Sequence, residues 1–157
     1  MKNFLSYCLI CIFGFLVGCA SDKHVSAVNP QKIYEAVSTK YPADKNSLIF
    51  IPAPEGFIAP RLANCEVENG VDNGKVVAIV SALALKTTTV VVAGDDELLT
   101  ATTMAKALAA SKDKISGSKA IVVGSKAIVV GAKETQKKLA DLAAASGVAL
   151  EFIETPL

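Results

Sequence analysis

The sequence predicts an α/β fold, a three-layer sandwich built on a mostly parallel sheet of about four strands. Three observations predict it. Short apolar, β-branched runs recur along the second half of the chain: TTTVVVA from Thr87, AIVV from Ala120 and VALEFI from Val148. Between them lie stretches with helical periodicity, and strands separated by helices of roughly 10–15 residues imply right-handed βαβ crossovers and parallel pairing. Alanine and valine dominate a chain with no Trp and only 6% aromatics, so its small side chains favour close packing of helices on the sheet.

Taken from the amino end, Lys2 supplies a positive charge and Phe4 to Val17 a 14-residue, mostly apolar run. Leu16-Val17-Gly18-Cys19 closes it, and the polar residues Ser21, Asp22, Lys23 and His24 follow. This order resembles the bacterial lipoprotein signal with its lipobox. The resemblance implies cleavage before Cys19, diacylation of the Cys19 thiol and acylation of the new amino terminus. Ala20 after the cysteine, rather than Asp, implies transport to the outer membrane, with the domain facing the periplasm. As an uncleaved transmembrane anchor the run is short, since a helix needs about 20 apolar residues to cross the hydrocarbon layer. Two acyl chains already give stable anchoring, so three on Cys19 would make release negligible. The expected organisation is a signal peptide over 1–18, a lipidated tether over 19–28 and a single α/β domain over 29–157.

Asn29-Pro30 reads as a helix start, with Asn as cap and Pro at the first helical position; Ile33, Tyr34 and Val37 share a face, and Pro42 ends the helix. Ser47 to Pro52 is a short strand. The following stretch from Ala53 to Asp72 mixes prolines, glycines and charge without a clear period, and reads as an irregular segment of the kind that carries function when ordered. VVAIVSALAL, with apolar residues at 76, 79, 80, 83 and 84, predicts a helix buried on most sides, with a strand as the competing reading.

Thr87 to Ala93 is a strand covered on both faces. Gly94-Asp95-Asp96-Glu97 turns the chain into a helix with Leu98, Ala101, Ala105 and Leu108 on one stripe, closed by Ser111-Lys112-Asp113. AIVV is the next strand, and Gly131-Ala-Lys-Glu134 opens a helix with Leu139, Leu142 and Ala143 inward and Gly147 at its C-terminal cap. Val148 to Ile153 is the last strand, where Glu151 marks a partly exposed edge. The carboxy-terminal part is thus βαβαβ, a Rossmann-like half. Within it GSKAIVV occurs twice in tandem, at 117–123 and 124–130, and either copy can supply the strand.

Composition narrows function by exclusion. Removing residues 1–18 takes one of 16 basic residues and none of 15 acidic ones, leaving 15 against 15. A neutral domain without a basic stripe argues against nucleic acid as partner. The single histidine, His24, lies in the tether, so imidazole catalysis and His-rich metal sites are not expected in the domain, and no cofactor fingerprint follows a strand. Cys8 and Cys11 leave with the signal and Cys19 takes lipid, so Cys65 has no partner within the chain; beside Glu66 it reads as a buried, inert thiol, with an intermolecular disulfide or a reactive thiol as the alternative.

Two places remain for function. In a parallel sheet, ligands sit beyond the strand ends, which here present Gly94, Asp95, Asp96 and Gly131 for a small molecule or, with a second carboxylate, for acid–base chemistry. Asp at such a corner equally serves as a helix cap. The other place is Phe57, Ile58, Arg61 and Leu62, where apolar residues and Arg suit a protein contact. The expectation is a non-catalytic, outer-membrane-anchored protein that binds an envelope partner as an accessory part of a secretion, pilus or envelope-maintenance assembly. A small-molecule module, and less so a carboxylate-dependent enzyme, are the alternatives.

Overall fold

In a computed structural model of the chain, residues 29–42, 45–56, 58–71, 74–110, 112–125 and 131–155 are described. They form α1 (Pro30–Lys40), β1 (Asn46–Ile51), α2 (Ala59–Glu68), α3 (Lys75–Leu85), β2 (Thr89–Gly94), α4 (Glu97–Ala110), α5 (Lys112–Ile115), β3 (Lys119–Ser125), α6 (Gly131–Ala145) and β4 (Ala149–Thr155). The expected signal peptide and tether with Cys19, as well as Phe57 and residues 126–130 of the second GSKAIVV copy, lie outside the described residues.

The expected α/β class is present. The four strands pair in parallel in the order β1-β2-β3-β4. Because each strand is added on the same side of the last, right-handed crossovers place every crossover helix on one face of the sheet. The packing follows that rule. Val67 of α2, Ile79 and Leu83 of α3, Met104 and Leu108 of α4, Ile115 of α5 and Leu139 of α6 share one core with Ile51, Val90, Val92, Ala120 and Val122. On the opposite face Ile33 and Val37 of α1 pack with Val91, Ala93, Ile121 and Val123. Among the described residues the layers on the two faces are therefore unequal, five helices against one. Strand β3 uses the first GSKAIVV copy, with Val122 beside Val92 and Phe152.

Local signals explain the element ends. Asn29 accepts a hydrogen bond from the Gln31 backbone N–H at 2.9 Å, and Pro30 opens α1 where its missing N–H costs nothing. At the end of α6, Gly147 adopts φ +68°, and a Cβ there would come within 2.4 Å of the Ser116 hydroxyl. Gly147 thus serves both as C-terminal cap and as a point of close approach.

Four expectations are corrected. The stretch from Ala53 to Asp72 contains a regular helix, α2. Helix α3 is not buried on most sides: only Ile79 and Leu83 are buried, while Val77 and Leu85 are 55% and 67% exposed. Of the stripe expected on α4, Ala101 and Leu108 are buried and Ala105 packs partly buried on the core, but Leu98 is 54% exposed, and the buried side also takes in Leu99, Thr100, Thr103, Met104 and Ala107. Cys65 is exposed on α2.

Candidate partner-binding surface

The strand-end corner at Gly94–Glu97 is tightly knit. A Cβ on Gly94 would fall 2.3 Å from Thr100 Oγ1 and 2.5 Å from the Ile51 carbonyl, so only glycine lets β2 and the start of α4 approach β1 this closely. Asp95 donates its backbone N–H to the Ile51 carbonyl at 3.2 Å, and its carboxylate accepts from the Ala53 N–H at 3.3 Å. Asp96 caps α4: its carboxylate accepts from the Leu99 N–H at 2.8 Å, and its carbonyl accepts from the Thr100 N–H at 2.9 Å. Both carboxylates therefore hold backbone that the fold requires. Gly131 begins α6 after the neighbouring strand. Among the described residues the strand order does not reverse, so the sheet has no topological switch point there. Among the described residues, no group of three or more His, Cys, Asp or Glu side chains is placed to hold a metal ion.

The second candidate set behaves differently. Ile58 and Leu62, four residues apart at the start of α2, are 63% and 58% exposed, and Arg61 beside them is exposed. Pro60 in the first helical turn is compatible with the helix, and Asn64 and Val67 turn inward, which sets Ile58 and Leu62 on the outer side. Helix α2 packs against α4 and is tied to it by Lys106, whose ammonium donates to the Glu68 carbonyl at 2.6 Å. Next to this junction lies a groove of about 410 Å³ between α4 and α6, lined by Ala101, Ala105, Leu139 and Leu142, with Leu98, Glu68, Lys106 and Lys138 also in its wall.

Five of the seven large hydrophobic side chains exposed among the described residues, Ile58, Leu62, Val71, Val77 and Leu85, belong to the single β1–β2 crossover. Sequence reasoning identified the first two by composition. It missed Val77 and Leu85, because an almost wholly apolar helix gives no sign of which side the fold leaves bare.

A charged cluster marks the other face. Glu151 of β4 accepts hydrogen bonds from the Lys40 ammonium and the Tyr41 hydroxyl at the end of α1. The hydrogen bonds from Lys40 and then Tyr41 hold its carboxyl below the usual carboxylate range, and the same bonds to Glu151 raise both Lys40 and Tyr41. Glu151 shares a row with Leu48, Val91 and Ile121, so the cluster clamps α1 where an otherwise apolar row reaches the sheet edge.

Searches among protein families, curated proteins and solved structures find no match to this chain.

Proposed function

We propose that this chain is a lipid-anchored, non-catalytic binding module of the bacterial outer membrane, held through Cys19, whose periplasmic domain docks an envelope protein on the outer side of α2. The exposed apolar side chains on α2 and just after it, Ile58, Leu62 and Val71, carry the reading. Single exposed hydrophobics are ordinary, but a clustered set in one connection is a feature of interaction surfaces. Ile58 and Leu62 flank Arg61, a combination favoured at interface centres. The groove between α4 and α6 lies beside α2 and extends the surface that a partner can use. The strand-end carboxylates support this reading by being engaged in hydrogen bonds within the fold.

The test places a photocrosslinking residue at position 62 in the full-length protein in cells, with the exposed position 36 on α1 as control. One dominant envelope protein captured from position 62 and not from 36 is the expected result. With the crosslinking residue moved to the exposed position 66, one turn further along the same side of α2, the double variant Ile58→Asp/Leu62→Asp should abolish capture while shifting folding stability by no more than about 1 kcal/mol, since both side chains stand in solvent. Capture that survives the double variant moves the contact elsewhere, and background alone from both positions removes the protein-docking reading.

A further inference from the structure

Helix α3 presents a second surface, different in chemistry from α2. Val77, Ala78, Ser81, Ala84 and Leu85 are all exposed, and at 100° per residue they fall on one side within an arc of about 120°. The opposite side, Ile79 and Leu83, is fully buried against the sheet core. From Val76 to Leu85 the helix contains no charged residue, while Lys75 and Lys86 bracket it. A helix apolar on all sides is normally covered on all sides. This one is covered on one.

Charge decides between occupants. Two copies of the chain pairing through α3 would bring lysine ends together in either relative direction, Lys75 onto Lys86 when antiparallel and each onto its own kind when parallel. An anionic lipid surface offers the complement instead: the apolar arc enters the headgroup boundary, and the stem of the exposed Lys86 reaches back to the phosphates. The chain outside the described residues supports the same occupant. Nine residues, 20–28, separate Cys19 from Asn29. Fully extended, they span about 30 Å. The domain is three layers thick, each about 10 Å, with α1 and α3 on opposite sides of the sheet. Nearly extended, the tether is therefore long enough for the anchor and α3 to meet the same bilayer.

We infer that the outward side of α3 is a membrane-docking surface, by which the lipidated domain lies against an anionic bilayer instead of hanging free on its tether. This rests on the lipid-anchor reading of Cys19. The chain has no Trp, so one introduced Trp reports alone. The experiment reconstitutes full-length acylated protein carrying Leu85→Trp, Val77→Trp or, as control on α1, Tyr34→Trp. The vesicles are phosphatidylethanolamine and phosphatidylglycerol with brominated acyl chains. Positions 85 and 77 should shift to the blue and lose intensity to the bromine, position 34 should do neither, and replacing phosphatidylglycerol with phosphatidylcholine should weaken both effects. Emission from 85 and 77 that matches 34 overturns the inference, as does a blue shift in lipid-free solution that grows with protein concentration, which would report a second copy on this surface. The mass of the Cys19 peptide is read separately. An unmodified Cys19 ends the anchor reading, while quenching at 77 and 85 on the same vesicles still decides α3.

Discussion

The most constrained residue is Gly94, where a side chain has no room. Gly94→Ala should cost about 1–3 kcal/mol, seen as a lower urea midpoint at unchanged slope, because the new methyl meets backbone at Ile51 as well as Thr100 Oγ1. Adding Thr100→Ala should recover only part of that loss, since the Ile51 carbonyl remains in the way. Asp96→Ala should lose about 1 kcal/mol of cap, and Asp96→Asn should retain most of it. Should either variant instead abolish binding of a small molecule while leaving stability intact, the corner is a site and not a joint. These roles were half legible. A glycine and two aspartates between a strand and a helix announce a tight capped turn, but contact with Ile51 lies more than 40 positions away and leaves no local mark. Cys65 was misread for the same reason: its exposure follows from which side of α2 meets α4.

At the level of elements, periodicity located α1, α3, α4 and α6 but placed only part of the buried side of α4, Ala101 and Leu108 with Ala105 partly buried, and put Leu98 inward in error. The cause is threonine. Thr100 and Thr103 are buried, and their hydroxyls donate to the carbonyls of Asp96 and Leu99 at 2.7 Å, so their polarity is spent inside the helix and their methyls pack. Counting them as polar rotates the apparent stripe onto Leu98. Helix α2 was hidden by its prolines, although Pro60 sits in the first turn, where it is tolerated. The docking of α1 adds a pH dependence with a definite sign. Glu151 titrates lower in the fold than its unfolded value of about 4.3, so its contribution is complete above that value and lost as pH falls through the folded pKa. Lys40 and Tyr41 titrate higher than their unfolded values of about 10, so theirs is complete below that and lost as pH rises through the folded pKa values. The clamp is therefore fully made at neutral pH. Hydrogen exchange at Ile33 and Val37 should be faster in Glu151→Gln than in the parent chain at pH 7. The difference should begin to close as pH falls below about 4.3, vanish below the folded pKa of Glu151, and shrink in high salt, because the pair stands largely in solvent. A difference that persists at low pH would mean that packing, not charge, holds α1.

For the molecule as a whole, the governing fact is that the four described strands are laid down in order, so that among the described residues one side of the sheet receives five helices and the other α1. The alternation of strands and helices made the class legible. The inequality of the layers was not, because it depends on strand order, which the pattern leaves open. The tandem GSKAIVV bears directly on how robust this winding is. Deleting either copy yields the same sequence, in which Val123 is followed at once by Gly131-Ala-Lys-Glu134. That junction repeats the form of the β2–α4 corner, Ala93-Gly94-Asp95-Asp96-Glu97: strand, glycine, two residues, glutamate. Residues 119–122, which pair with β2, keep their identity. What is removed is the end of β3 and residues 126–130 before α6. Shortening a connection changes closure entropy by only about 0.6 kcal/mol per halving, and the shorter chain also loses the competing strand register that the second AIVV offers. The single-copy protein should therefore fold with a urea midpoint equal to or above the parent's and with the same exchange-protected amides in β2 and β3. It should also aggregate less on refolding, since a spare uncharged β-branched run is an aggregation hazard. Loss of protection in β3 would instead show that the extra seven residues are part of the working connection between the sheet and α6.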